Sequence, residues 1–226
     1  MKQTLITLAA AAFVLSGCAA GNSYLAHRNT TVEMYHIFDI KTDAATGAVV
    51  KAAADGLARN TNDIQQVTPL QMGKTTPATP GRFTIEDVGA QLAGANPGLG
   101  AMMQLAAAQS GGVGIKAAKC DGAVWTSRAR RTIGGSSNLT LYSCLYKYQA
   151  GYHLDTYAVF NKTEGGVYQV SRDLASSLVG TPEQWVNKTI LDTVAAIEAA
   201  AGAKMVRVEG QPELLPLPSG ALIGAR

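Results

Sequence analysis

His153 and Asp155 stand two apart in GYHLDTYAVF, residues 151–160. The run alternates like a strand, so both side chains fall on one face. A carboxylate beside an imidazole orients a general base. Residues i and i+2 of a strand are nevertheless about 6–7 Å apart at Cα, and no serine or cysteine nucleophile stands near them by pattern. A solvated polar face is the preferred reading, and a hydrolase built on His153 and Asp155 is the weaker rival. The three histidines, His27, His36 and His153, are scattered, which argues against a catalytic zinc site. No metal and no cofactor is expected. His36, between Met34 and Phe38, reads as a core or interface residue.

Arg128, Arg130 and Arg131 form the basic cluster of the chain. Arg128 and Arg130 share a strand face and suit an anion or partner contact, where a guanidinium grips a phosphate or carboxylate with two bonds. The preferred alternative is a solvated edge strand whose charges discourage aggregation.

Two glycine-containing motifs fail on spacing. Gly73-Lys74-Thr75 ends like a phosphate loop, but Thr68 occupies the position that needs the first glycine. The prolines that follow, Pro77 and Pro80, cannot open the helix that would hold phosphate. Gly111-Gly112-Val113-Gly114 lacks the dinucleotide spacing and follows a helix rather than a strand. No nucleotide is expected to bind. A formal charge of +3 over 226 residues gives no reason to expect nucleic acid either.

These residues must be positioned by a small set of elements. Residues 31–41 predict a strand, with Val32, Met34, His36, Phe38 and Ile40 on one face. A helix over 46–59 follows, capped by Thr42 or Asp43, with Val49, Val50, Ala53 and Leu57 inward. Residues 64–71 predict a strand broken near Pro69, and 73–82 a loop. Thr84 is expected to cap a helical stretch over 84–109, interrupted at Asn96-Pro97-Gly98. Residues 120–131, 138–149 and 151–160 predict an antiparallel meander, with a short strand at 167–170. Along 139–148, Tyr142, Cys144, Tyr146 and Tyr148 fall on one face. The clearest helix starts at Thr181, with Pro182 at its first position and Gln184 completing a capping box. Its stripe is Val186, Ile190, Val194 and Ile197, and Gly202 stops it. Residues 204–208 predict a last strand. The fold class is α+β: an antiparallel sheet, with a meander around 120–170, and helices packed on one face.

Hydrophobic residues make up 47% and charged residues 15%, so the body reads as globular. The N-terminus departs from it. Lys2 precedes a short apolar run, residues 5–14, which is well under the roughly 20 residues that span a membrane and fits a secretory signal. That run ends in Leu15-Ser16-Gly17-Cys18, which resembles the lipobox of bacterial lipoproteins. The resemblance covers residues 1–18. It implies cleavage before Cys18 and lipid on that cysteine, and several acyl chains make a stable anchor. Ala19 in place of aspartate resembles an outer-membrane address, with the body facing the periplasm. In a bacterium, the four N-x-T sequences at Asn29, Asn138, Asn161 and Asn187 are chance.

With Cys18 assigned to lipid, Cys120 and Cys144 remain of the three cysteines. Export carries them to an oxidising compartment, so a Cys120–Cys144 disulfide is expected. Two free thiols or half of a metal site are the alternatives. The domain organisation is then a signal peptide (1–17), a lipidated tether (18–30), a single domain (31–209) and an extended tail (210–226). The uncharged run 98–109 and the apolar tail suit a partner more than a substrate. The expectation is a non-enzymatic accessory or assembly lipoprotein with an envelope protein partner. A lipid- or glycan-binding lipoprotein, using the tyrosine face or Arg128 and Arg130, is the alternative.

Overall fold

The computed structural model describes residues 28–214 apart from 62, 72, 74, 96–97, 99, 103–115, 134–136 and 165–179. The lipobox, the predicted strand at 167–170, most of the run 98–109 and the tail beyond 214 lie outside the described residues. The elements in chain order are β1 (Arg28–Lys41), α1 (Thr46–Ala58), β2 (Ile64–Val67), β3 (Thr84–Asp87), α2 (Val88–Ala95), β4 (Lys116–Lys119), β5 (Trp125–Ile133), β6 (Ser137–Tyr148), β7 (Gly151–Glu164), α3 (Pro182–Ala201) and β8 (Val206–Gln211).

The fold is α+β, as expected. Its main sheet has the order β2-β5-β6-β7-β1-β8, and every pairing is antiparallel. The meander β5-β6-β7 forms its middle. β1 enters beside β7 over its whole length, pairing Arg28 with Glu164 and Lys41 with Gly151. The turn at Gln149-Ala150-Gly151 needs its glycine. A Cβ at Gly151 would lie 1.9 Å from the Ile40 carbonyl oxygen, and φ there is +152°.

α1 and α3 cover one face. Met34, Phe38 and Ile40 of β1 and Leu141, Leu145, Leu154 and Phe160 of the meander meet Val49, Leu57, Trp185, Val186, Ile190 and Ile197 from the helices. Burial of this apolar surface is the main driving term for the domain. The two helices approach closely at Gly56, where a Cβ would sit 2.6 Å from the Thr193 Cα. Thr189 and Thr193 donate their buried hydroxyls to the carbonyls of Trp185 and Thr189, which satisfies them inside the helix. α3 begins as its sequence predicts. The Thr181 side chain accepts from the Gln184 N–H, the Gln184 side chain returns the bond, and Gly202 closes the helix at φ +64°.

Three local expectations are corrected. α1 has no side-chain cap: Ala45 is its N-cap, and the Thr42 hydroxyl is held instead by the Ala44 N–H and the Ala201 carbonyl. Thr84 opens no helix. Residues 84–87 form β3, paired with β4, and the helix starts at Val88 with Asp87 accepting from the Ala90 N–H. Lys116–Lys119, left unassigned by local pattern, becomes a strand because β3 pairs with it. The strand expected from Cys120 starts at Trp125, since Cys120–Ala123 form a turn closed by the Ala123 N–H on the Cys120 carbonyl.

Candidate functional site

The second face of the sheet carries the candidate chemistry, and it is covered. Residues 75–83 and the β3–β4 pair run across it. The cover is fastened along its length. The Gln149 N–H donates to the Pro77 carbonyl at 2.9 Å. Gly81 lies against the Tyr146 ring, where a Cβ would come within 2.6 Å. Phe83 sits between the rings of Tyr35 and Tyr157. Arg82 pairs with Glu209 of β8, and Lys116 with Glu33 of β1. Cys120 is joined to Cys144 of β6 by a disulfide, with Cα atoms 5.6 Å apart.

Under this cover lie His153 and Asp155. The expected solvated face is therefore corrected: Asp155 is 0% exposed. The local alternation gave the right face, and the cover, which comes from residues 75–83, changed the environment. His153 stands opposite Asp39 in the β1–β7 register, with its Nε2 3.4 Å from the Asp39 carboxylate. Its Nδ1 is 3.9 Å from Asp155, too far for a hydrogen bond. Asp39 accepts from the Tyr148 hydroxyl at 2.6 Å and pairs with Lys41 at 2.9 Å. Lys41 also donates to Tyr148. Asp155 accepts one bond, from the Phe83 backbone N–H at 3.1 Å.

The electrostatics follow from burial. Desolvation pushes the Asp155 carboxyl up to about 6, against the Phe83 N–H bond and Arg82. Burial also lowers His153, opposed by Asp39 and helped by Lys41 and Arg82. For Asp39 burial acts upward, yet the bonds from Tyr148 and Lys41 prevail and hold it below its ordinary value. Burial raises Tyr146 far above its ordinary value. The Tyr146 hydroxyl, the His153 Nδ1 and the Asp155 Oδ1 are buried without a hydrogen-bond partner. The His153 side chain keeps 13% of its surface exposed and Asp155 none. His36 is fully buried on the helix-bearing side of β1, and desolvation with Arg207 lowers it to about 4.

The three arginines do not converge. Arg128 is exposed, with its guanidinium 5.7 Å from the centre of the Tyr142 ring. Arg130 pairs with Asp63 at 3.4 Å. Arg131 points to the opposite face and lies over the Trp185 ring. β5 is not an edge either, because β2 pairs with it from Ile64 to Val67. Among the described residues, the edge strands of the main sheet are β2 and β8.

Local pattern missed Asp39, Lys41 and Lys147, and it placed Tyr148 on the tyrosine face without its bond to Asp39. Asp39 and Lys41 alternate along β1, but their neighbours are set by register with β7, across more than a hundred residues. Lys147 points the other way from Tyr146 and Tyr148. It lies where α1 begins, between two adjoining hollows of about 320 and 720 Å³ that both include Thr76. Among the described residues, no group of three or more His, Cys, Asp or Glu side chains could hold a metal ion. No helix among them is long and apolar enough to cross a membrane.

The chain matches no protein-family model, no curated protein and no solved structure.

Proposed function

We propose that the chain is a bacterial envelope lipoprotein, held at the outer membrane through lipid on Cys18 and facing the periplasm. There it acts as a non-enzymatic accessory or assembly subunit of an envelope complex. One observation carries the anchor: Cys120 and Cys144 pair with each other, which leaves Cys18 of the lipobox as the remaining cysteine. The disulfide also fits an exported chain. A partner is supported by the edge strand β8, whose Val206 and Val208 are 64% and 58% exposed, and by Leu70 at 81%. Exposed apolar side chains on an open edge suit a contact surface.

The anchor is tested by feeding cells an alkyne-bearing fatty acid and measuring label on wild type and on Cys18→Ser. Label confined to the wild type supports it, and equal label on both removes it. The partner is tested with photo-crosslinking side chains at Val208 and Leu70 in cells. A discrete protein adduct is expected, and none at native expression counts against an assembly role.

A second reading, a ligand-binding envelope lipoprotein, is favoured by the hollow at Lys147. It is not favoured at the tyrosine face, which the cover fills.

A further inference from the structure

Lys147 is the one lysine among the described residues without an acidic partner. Each of the others has a carboxylate within 4 Å. Lys147 is also half-buried, so its charge is partly removed from water, which costs free energy unless compensated. Its neighbours in the chain are neutral. The ammonium donates to the Thr46 hydroxyl at 3.1 Å and lies 5.7 Å from the centre of the Tyr152 ring. Those contacts orient the ammonium without neutralising it.

The charge faces open space. Lys147 lines both hollows where they adjoin, and their sizes fall in the range of ligand sites. The same place receives the start of α1. That 13-residue helix has no side-chain cap at Ala45 and no acid in its first turn. Its N–H groups therefore add to the positive field that Lys147 sets up. The smaller hollow adds Thr76 and Gln149, and the larger one mixes Thr68 and Gln71 with apolar Pro69, Pro77 and Val124. Asp43 adds one exposed carboxylate.

We propose that this hollow binds an anionic saccharide, a sugar carrying one carboxylate or phosphate. The acid group meets the Lys147 ammonium beside the α1 N-terminus. Ring hydroxyls meet Asp43, Thr76 and Gln149. The three features exclude other ligand classes on chemical grounds. A neutral sugar leaves Lys147 without a counter-ion. An apolar ligand desolvates the Lys147 ammonium without supplying a counter-charge. A compact polyanion is repelled by Asp43. The inference rests on the ligand-binding reading above and is independent of lipid on Cys18.

The test is calorimetric titration of the detergent-solubilised full chain with glucuronate and with glucose 6-phosphate, using glucose and citrate as controls. Both sugar acids are expected to bind at least about tenfold more tightly than either control, the fold-change for one charge-assisted contact. Lys147→Met is expected to lose at least that factor, and Lys147→Arg to keep most of the binding. Amide shifts at Gly47 and Gln149 on titration place the ligand in the hollow. Absence of both heat and amide shifts with the two sugar acids overturns the proposal, whereas the ligand-binding reading falls only if native mass spectrometry of protein extracted from cells shows no co-purifying small molecule. Glucose binding as tightly as the sugar acids overturns the need for an acid group, citrate binding as tightly overturns the saccharide, and undiminished binding by a folded Lys147→Met overturns the role of Lys147. The comparison of sugar acids with glucose needs only the wild-type chain, so the outcome does not depend on the variant folding.

Discussion

Asp155 accepts its single hydrogen bond from the Phe83 backbone N–H, 3.1 Å away, and so ties the middle of the sheet to the cover that buries it. Carboxyl and cover depend on each other. The cover removes Asp155 from water, and Asp155 satisfies an N–H that the cover would otherwise bury unpaired.

Asp155 and His36 give stability opposite pH dependences. The folded chain holds the Asp155 proton up to about pH 6, against an ordinary value of 3.8. Its contribution is full below about pH 4 and is lost as pH rises through 6, on the order of 2–3 kcal/mol. His36 falls to about 4 from 6.5, so the folded chain sheds its proton early. Its contribution is full above 6.5 and is lost as pH falls towards 4. Urea unfolding from pH 4 to 7 checks both by difference. Asp155→Asn should gain on the wild type as pH rises, and His36→Phe should lose on it. A pH-independent difference for either variant would remove that residue from the account.

The disulfide fastens the cover at Cys144. Its sequence separation of 24 corresponds to about 3 kcal/mol in the chain-entropy model. Reduction should lower stability by about that amount and raise amide exchange at Phe83 and across β3 before the helices respond. Uniform exchange across the domain on reduction would show that the cover has no opening of its own.

Gly151→Ala should prevent folding or cost well over 3 kcal/mol. A Cβ there meets the Ile40 carbonyl at 1.9 Å in a backbone conformation that L side chains rarely adopt. Relief would require separating β1 from β7, the longest pairing in the sheet. Soluble expression and thermal melting decide this, and a wild-type Tm would contradict the close approach.

Gly56→Ala sets two effects against each other. Alanine favours a helix by about 1 kcal/mol over glycine. Overpacking against the Thr193 backbone costs about 1–3 kcal/mol, and backbone at 2.6 Å cannot swing aside as a side chain does. Net destabilisation is expected in urea melts. Gly47→Ala in the same helix meets nothing within 4 Å and should stabilise.

Local pattern alone determined the elements whose signals are short-range. Alternation placed β1, β6 and β7, and the Thr181–Pro182–Gln184 start defined α3, because strand period and capping depend on residues a few positions apart. Cysteine arithmetic also identified the Cys120–Cys144 pair. Tertiary structure decided what depends on partners distant in the chain. Thr84–Asp87 carries helix-start residues yet pairs with Lys116–Lys119, and that pairing outweighs local preference. His153 and Asp155 were readable as neighbours on one face. Whether that face met water was set by residues 75–83. Register brought Asp39 to His153, and chain geometry left Lys147 without an acidic partner beside an open hollow. Each of these outcomes is a sum over contacts distant in sequence, which no local window contains.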